Sequence, residues 1–349
     1  MPGRDNDERT PGVDLDKLAQ YLNTHRPDLF DGPMKAEIIP GGRSNLTYFA
    51  TVGSRTVVLR RPPLGHVLDT AHDMAREFRV TSALADTNVP VAKPLLLCED
   101  ANIIGSPFYV MEKVEGLVLR DFDDAMQLGA AAIPSLSYRL INTLGYLHAI
   151  NPNDIGLADF GRPDGFLERQ IRRWTKQLDA SRSRDVAGID ALADGLAKNI
   201  PTTQRNTIVH GDYRLDNVLV ARNPSDEYDI AAVVDWEMST LGDPLTDLGL
   251  FCTYWAALGS STLIPLGPNT DASAPFPPTD DLVASYAEAS GLDLTELPWY
   301  IAFGCFKLGV IMEGIYFRYS MGKTVGDGFA PIGDLVAPLI DRGLTQLPR

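Results

Sequence analysis

Cysteine is scarce. The 349 residues hold three, Cys98, Cys252 and Cys305, widely separated. An odd number cannot close into a disulfide set and no pair has metal-ligand spacing. A disulfide scaffold and a cysteine-bound zinc are therefore excluded, and a reduced, cytoplasmic chain with buried thiols is expected. Positive charge is also short: 31 Lys and Arg against 46 Asp and Glu leave a net charge of −15 and a pI near 4.7. Such a surface repels nucleic acid and anionic membranes, so neither is an expected partner. An unbroken membrane-length apolar run is missing as well. The most apolar stretch, residues 297–321, is interrupted by Pro298, Lys307, Glu313 and Arg318, which makes it a buried core helix. Residues 1–12 are polar, charged and bear Pro and Gly. They lack the apolar run of a signal peptide and read as a disordered N-terminus.

What the chain does contain is an ordinary globular composition, 44% apolar, with length for two lobes and a sizeable core. Leu15, Leu18, Ala19 and Leu22 recur at helical spacing. Residues 36–40, 46–52 and 55–60 read as strands, the last two joined by a hairpin turn at Gly53-Ser54. Asp69 or Thr70 can cap a helix running to about residue 85, and residues 95–98 and 107–114 read as two more strands. From about Asp121 the pattern becomes helical, with Pro134 suited to a helix start, and is interrupted by a strand pair at 217–221 and 229–235. Residues 259–279, rich in Gly, Pro, Ser and Thr, read as a long loop. The fold class is thus α+β: an antiparallel-sheet lobe with one helix over residues 13–114, then a larger helical lobe over 115–349, hinged near residues 111–116.

The densest chemical signal is His210-Gly211-Asp212-Tyr213-Arg214-Leu215-Asp216-Asn217, followed by a strand that ends at Asp235. Two hairpin strands would set Asn217 and Asp235 side by side, an oxygen-donor pair of the kind Mg²⁺ takes from protein while phosphate and water supply the rest. Asp212, on the loop beside them, would orient a substrate hydroxyl and accept its proton. Phosphoryl transfer needs mainly positioning and charge stabilisation, which this set offers. His210 reads as a structural residue packing the loop.

This segment resembles the catalytic loop of the aminoglycoside phosphotransferase and choline kinase group of kinase-like enzymes, and Asp235 resembles their metal-binding Asp. The resemblance runs from about residue 36 to the C-terminus. A narrower likeness rests on Gly41-Gly42-Arg43-Ser44-Asn45-Leu46-Thr47-Tyr48, Val58-Leu59-Arg60-Arg61-Pro62-Pro63, Arg76-Glu77-Phe78-Arg79-Val80 and the catalytic loop. These are similar to the kinase-like domain fused ahead of some acyl-CoA dehydrogenases and to its stand-alone bacterial relatives. That subfamily implies ATP and Mg²⁺ as cofactors and a hydroxyl on an acyl-CoA as phosphate acceptor. It also implies that Asp247 starts a buried helix and braces the catalytic loop, where the sequence by itself equally allows an ordinary helix cap.

The resemblance assigns the nucleotide site too. Gly41, Gly42, Ser44 and Asn45 join two strands where backbone N–H groups can approach phosphates. Where kinases pair a strand Lys with a helix Glu, this chain has Arg60 and Glu77. Arginine's planar fork can hold carboxylate and phosphate together, so the exchange is not neutral. Val58, on the face of Arg60, would roof the adenine. Met111 would flank it, and the backbone of Glu112 and Val114 would bind its edge.

The acceptor is less legible. Tyr254, Trp255, Lys307, Glu313, Tyr316 and Arg318 are candidates by position. The motif likeness favours a hydroxyacyl-CoA, whereas the net acidity favours a cationic acceptor, an aminoglycoside or amino alcohol. A nucleotide-binding partner protein without turnover is the third reading.

Overall fold

The structure, a computed structural model, describes residues 10–30, 32–39, 45–64, 72–120, 122–257, 275–322 and 330–347. Gly41, Gly42 and Ser44 lie outside these, as do most of the loop expected at 259–279 and the first nine residues of the expected disordered N-terminus. The chain divides into two compact units between Glu115 and Gly116.

The first unit opens with helix α1 (Leu15–His25), which buries Leu18 and Leu22. Five antiparallel strands follow: β1 (Met34–Ile38), β2 (Leu46–Val52), β3 (Arg55–Arg61), β4 (Pro94–Cys98) and β5 (Phe108–Glu112), in the spatial order β1-β2-β3-β5-β4. Helix α2 (Met74–Leu84) intervenes between β3 and β4. It begins later than the sequence suggests: Asp73, not Asp69 or Thr70, caps it by accepting the Arg76 N–H at 3.0 Å. An Asp side chain with its own backbone extended satisfies an orphan helix donor, and the first residue so placed sets the start. Strand alternation divides the sheet's two faces. Val57 and Leu59 of β3 and Phe108 and Val110 of β5 join the core with Leu18, Leu22 and Tyr48. Val58, Arg60, Tyr109 and Met111 therefore share the opposite face.

The second unit is mainly helical: α3 (Phe122–Met126), α4 (Ile133–Ala149), α5 (Phe166–Ser181), α6 (Ile189–Lys198), α7 (Leu245–Ala257), α8 (Thr279–Ser290), α9 (Leu297–Ser320) and α10 (Val336–Gln346). Pro134 lies in the first turn of α4, where its missing N–H costs nothing. Two short antiparallel strand pairs interrupt the helices, the hairpin of β7 (Val218–Arg222) with β8 (Tyr228–Val233), and β6 (Thr207–Val209) with β9 (Thr240–Gly242) outside it. The first was expected, although Asn217 and Asp235 fall just outside its ends. The second was not, because three residues are too few to show alternation.

The apolar stretch 297–321 is α9, a core helix packed against α7 and α10. Of its most apolar 18-residue window, 72% is buried. Gly304 permits the close approach to α7: a Cβ there would stand 2.6 Å from Thr253 Oγ1 and 2.8 Å from the Gly249 carbonyl.

Candidate active site

The loop after β6 is fixed by its backbone. Asp247, in the first turn of α7 and 1% exposed, accepts the His210 N–H at 2.7 Å and the Gly211 N–H at 2.9 Å. The helix-capping role that the sequence left open for Asp247 falls to Asp243, which accepts the Leu245 N–H at 3.0 Å. Burial works against the Asp247 charge, but the His148 side chain at 3.3 Å, His210 nearby and the Gly211 N–H outweigh it and hold the carboxyl below its usual range. Being ionised, Asp247 only accepts, so His148 Nε2–H donates to it, and Nδ1 is hydrogen-bonded to the Tyr286 hydroxyl at 2.6 Å.

His210 is fully buried. Its Nε2 donates to the Val234 carbonyl at 3.0 Å and its Nδ1 accepts the Asp212 N–H at 3.3 Å. Both nitrogens brace the loop, in keeping with a structural residue. Gly211 has φ +90, and a Cβ there would meet Met238 Cβ at 2.8 Å. Glycine is required by conformation and by space. The Gly211 carbonyl accepts from Lys307 Nζ at 2.7 Å.

The Asp212 carboxylate is held at both oxygens. Oδ1 accepts from the Tyr254 hydroxyl at 3.2 Å, and Oδ2 accepts from Asn217 Nδ2, also at 3.2 Å. Its side chain remains 31% exposed, with Arg214 Nε 3.9 Å away. Burial, reinforced by Asp212, pushes the Tyr254 hydroxyl well up, so it keeps its proton and donates. Burial opposes the Arg214 charge, yet the Asp216 and Asp212 carboxylates raise its pKa further. Asp216, ion-paired to Arg214, is pushed up to about 6 by burial.

The β7–β8 hairpin pairs Val218 with Val233, and the Val234 N–H donates to the Asn217 carbonyl at 2.9 Å, which brings Asp235 to within one residue of the position across from Asn217. Asp235 ends the run in a left-handed conformation, φ +66, which Asp tolerates better than most side chains. The Asn217 amide nitrogen is engaged with the Asp212 carbonyl at 2.9 Å and with its carboxylate, so the amide oxygen is the group left to present. Among the described residues no three His, Cys, Asp or Glu side chains group as a metal site. One amide oxygen and one carboxylate are hard donors, few in number, and fit Mg²⁺, which keeps water and phosphate for its other positions.

In the first unit, the face opposite the core carries Val58, Arg60 and Met111 of the residues assigned to nucleotide. Val58 pairs across the ladder with Met111, and Arg60 with Tyr109. Arg60 Nε lies 2.8 Å from Glu77 Oε2, with Glu77 2% exposed. Two further side chains hold Glu77: Asn45 Nδ2 at 2.9 Å and the Tyr109 hydroxyl at 3.1 Å. Asn45 accepts in turn from His72 Nδ1 at 2.7 Å. The Asn45 side chain thus braces the Arg60–Glu77 pair from the end of the glycine loop. The Glu112 N–H is taken by the Lys93 carbonyl at 2.8 Å, and Val114 follows two residues past the end of β5. Tyr254 and Lys307, expected near the acceptor by position, instead hold the Asp212 carboxylate and the Gly211 carbonyl, and Tyr109 was not assigned from sequence. For Tyr109 alone a signal existed, since period two sets it on the face of Met111.

A five-stranded antiparallel sheet with one bracing helix, followed by a helical unit carrying an Asp–Asn loop and a hairpin Asp, defines a protein-kinase-like α+β fold. Residues 35–267 match the phosphotransferase enzyme family, and the chain belongs to it. A solved Ralstonia eutropha protein provisionally assigned as an aminoglycoside phosphotransferase is 32% identical, with a TM-score of 0.82 over 95% of this chain and 98% of that one. Acyl-CoA dehydrogenase family member 11 of Rattus norvegicus is 36% identical over 96% of this chain, which spans 43% of that protein's length. A choline kinase from Cryptosporidium parvum, 12% identical, shares the fold with a TM-score of 0.65 over 95% of each chain.

Proposed function

We propose that the protein transfers the γ-phosphoryl group of ATP to a hydroxyl of a hydroxyacyl-CoA, with Asp212 as catalytic base. The observation that carries the reading is the Asp212 carboxylate fixed by Asn217 and Tyr254, with Asp235 brought alongside Asn217 by the hairpin. Asp212 orients the acceptor hydroxyl and takes its proton as the new O–P bond forms and the bond to ADP breaks. Asn217 and Asp235 hold Mg²⁺, which when bound neutralises charge on the phosphates. Arg60, kept in place by Glu77, binds phosphate through its guanidinium. Val58 and Met111 flank the adenine, while the glycine loop through Asn45 and the backbone of Glu112 and Val114 complete the nucleotide site. Three buried free cysteines and an acidic surface suit a cytoplasmic enzyme with a small-molecule substrate.

The acyl-CoA acceptor is supported by the relatives bearing the acyl-CoA dehydrogenase name. The net charge of −15 favours the second reading, an aminoglycoside or amino-alcohol acceptor. An ATP-consumption assay with Mg²⁺ and hydroxyacyl-CoAs, aminoglycosides and amino alcohols side by side separates them. Turnover with a hydroxyacyl-CoA alone supports the first reading, and turnover with the amines alone replaces it with the second. Nucleotide binding without turnover on any acceptor points to an inactive binding protein.

A further inference from the structure

We propose that Lys307, on the core helix α9, is a positioning residue for Asp212: its ammonium fixes the Gly211–Asp212 peptide plane by holding the Gly211 carbonyl. The inference rests on Asp212 acting as base. The loop's backbone groups divide among three holders. Asp247 takes the N–H groups of His210 and Gly211, and His210 Nδ1 takes the Asp212 N–H. The Gly211 carbonyl goes to Lys307 Nζ at 2.7 Å. A glycine at φ +90 can rotate its following peptide with little steric resistance, and such a rotation would swing the Asp212 side chain. With the carbonyl held at one end and the N–H at the other, that peptide has one orientation.

The choice of a lysine is informative. Its residue is 9% exposed, and its Nζ lies over the Trp174 ring at 5.5 Å from the centroid. Burying an ammonium is costly, and a neutral donor would satisfy one carbonyl for less. Burial lowers the lysine's pKa, whereas Asp212 and Asp247 favour its charged form and Arg173 opposes it. The charge is thus offset by the two carboxylates that build the loop, and charge-assisted bonds resist displacement better than neutral ones. An unheld carbonyl would leave Asp212 sampling orientations of which few face the acceptor, and displacement of a reacting group by about 1 Å costs on the order of 10² in rate.

The test uses the full chain and MgATP, with water as the phosphoryl acceptor, so no other substrate need be known. Lys307→Met, Lys307→Arg and Asp212→Asn are compared for turnover, MgATP affinity and thermal midpoint. The inference predicts that folded Lys307→Met binds MgATP as wild type does while kcat falls roughly 10–100-fold, and that Lys307→Arg recovers most of the loss. A purely structural lysine would shift the midpoint without separating kcat from affinity. Wild-type turnover in folded Lys307→Met, or an equal loss in Met and Arg, overturns the inference. If Met does not fold, Lys307→Gln replaces it. Turnover within a few-fold of wild type then supports the carbonyl contact, and a fall matching Asp212→Asn overturns it. Full turnover in Asp212→Asn would instead remove the base assignment itself, which separates the two failures.

Discussion

Replacing Asp247 by Asn keeps the side chain's shape and removes its charge and one acceptor. Its two oxygens now serve the His210 N–H at 2.7 Å, the Gly211 N–H at 2.9 Å and the His148 ring at 3.3 Å. In Asp247→Asn, whichever way the amide is turned, its NH₂ faces a donor. At least one buried N–H loses its partner, at a cost of about 1–3 kcal/mol, and what remains loses its charge assistance, about 1 kcal/mol more. The sum, about 3 kcal/mol, is a large share of a typical domain's stability and corresponds to a fall of roughly 10 °C in Tm for a unit of this size. The pH dependence has a definite sign. The Asp247 carboxyl is held below its usual range in the folded protein, so between the folded and unfolded pKa values the unfolded chain binds the extra proton. Its contribution is complete above the ordinary carboxylate pKa and is lost as pH falls through the lower folded value. Asp247→Asn lacks that dependence. Calorimetric Tm values for both proteins from pH 7 downward should show a gap that is widest near neutrality and narrows toward acid. Equal midpoints at pH 7, or a gap unchanged by acid, would refute the brace.

Other expected outcomes concern the nucleotide site. Arg60→Lys should raise the KM for ATP clearly with a smaller effect on kcat, because a point charge paired to Glu77 cannot also reach phosphate as a planar fork does. Silence in both Arg60→Lys and Glu77→Gln would remove the pair from nucleotide binding. Asp235→Ala should abolish the Mg²⁺ dependence of ATP affinity in a calorimetric titration, since the phosphates lose their shared counter-ion. Unchanged Mg·ATP affinity would move the metal elsewhere.

The parts of this molecule legible in its sequence were those encoded locally. β2 matches its expected bounds because alternation and the Gly53-Ser54 turn fix its register with β3. The catalytic loop and the hairpin that joins Asn217 to Asp235 lie within one short segment, so spacing alone was informative. The contacts that orient Asp212 were not legible. Tyr254 reaches it from 42 positions away and Lys307 reaches Gly211 from 96. Both were candidates for the acceptor site by position, but nothing local pointed to a contact with the catalytic loop, because burial and function select the same residues in apolar helices. Asn45 was read as a phosphate-loop residue. Its side-chain bond to Glu77, 32 positions on, depends on where α2 begins, and that start was misjudged by a few residues.

The central claim is that Asp212 takes the proton from the acceptor hydroxyl. Asp212→Asn preserves the side chain's size and can still accept from the Tyr254 hydroxyl, and Asn217 Nδ2 keeps its bond to the residue-212 carbonyl, so the main loss is the base. Single-turnover transfer from MgATP, measured with the acceptor that emerges from the side-by-side assay, should fall about 10²–10⁴-fold while MgATP affinity stays at the wild-type value. Wild-type transfer in Asp212→Asn, or a loss explained wholly by weaker MgATP binding, would contradict the account.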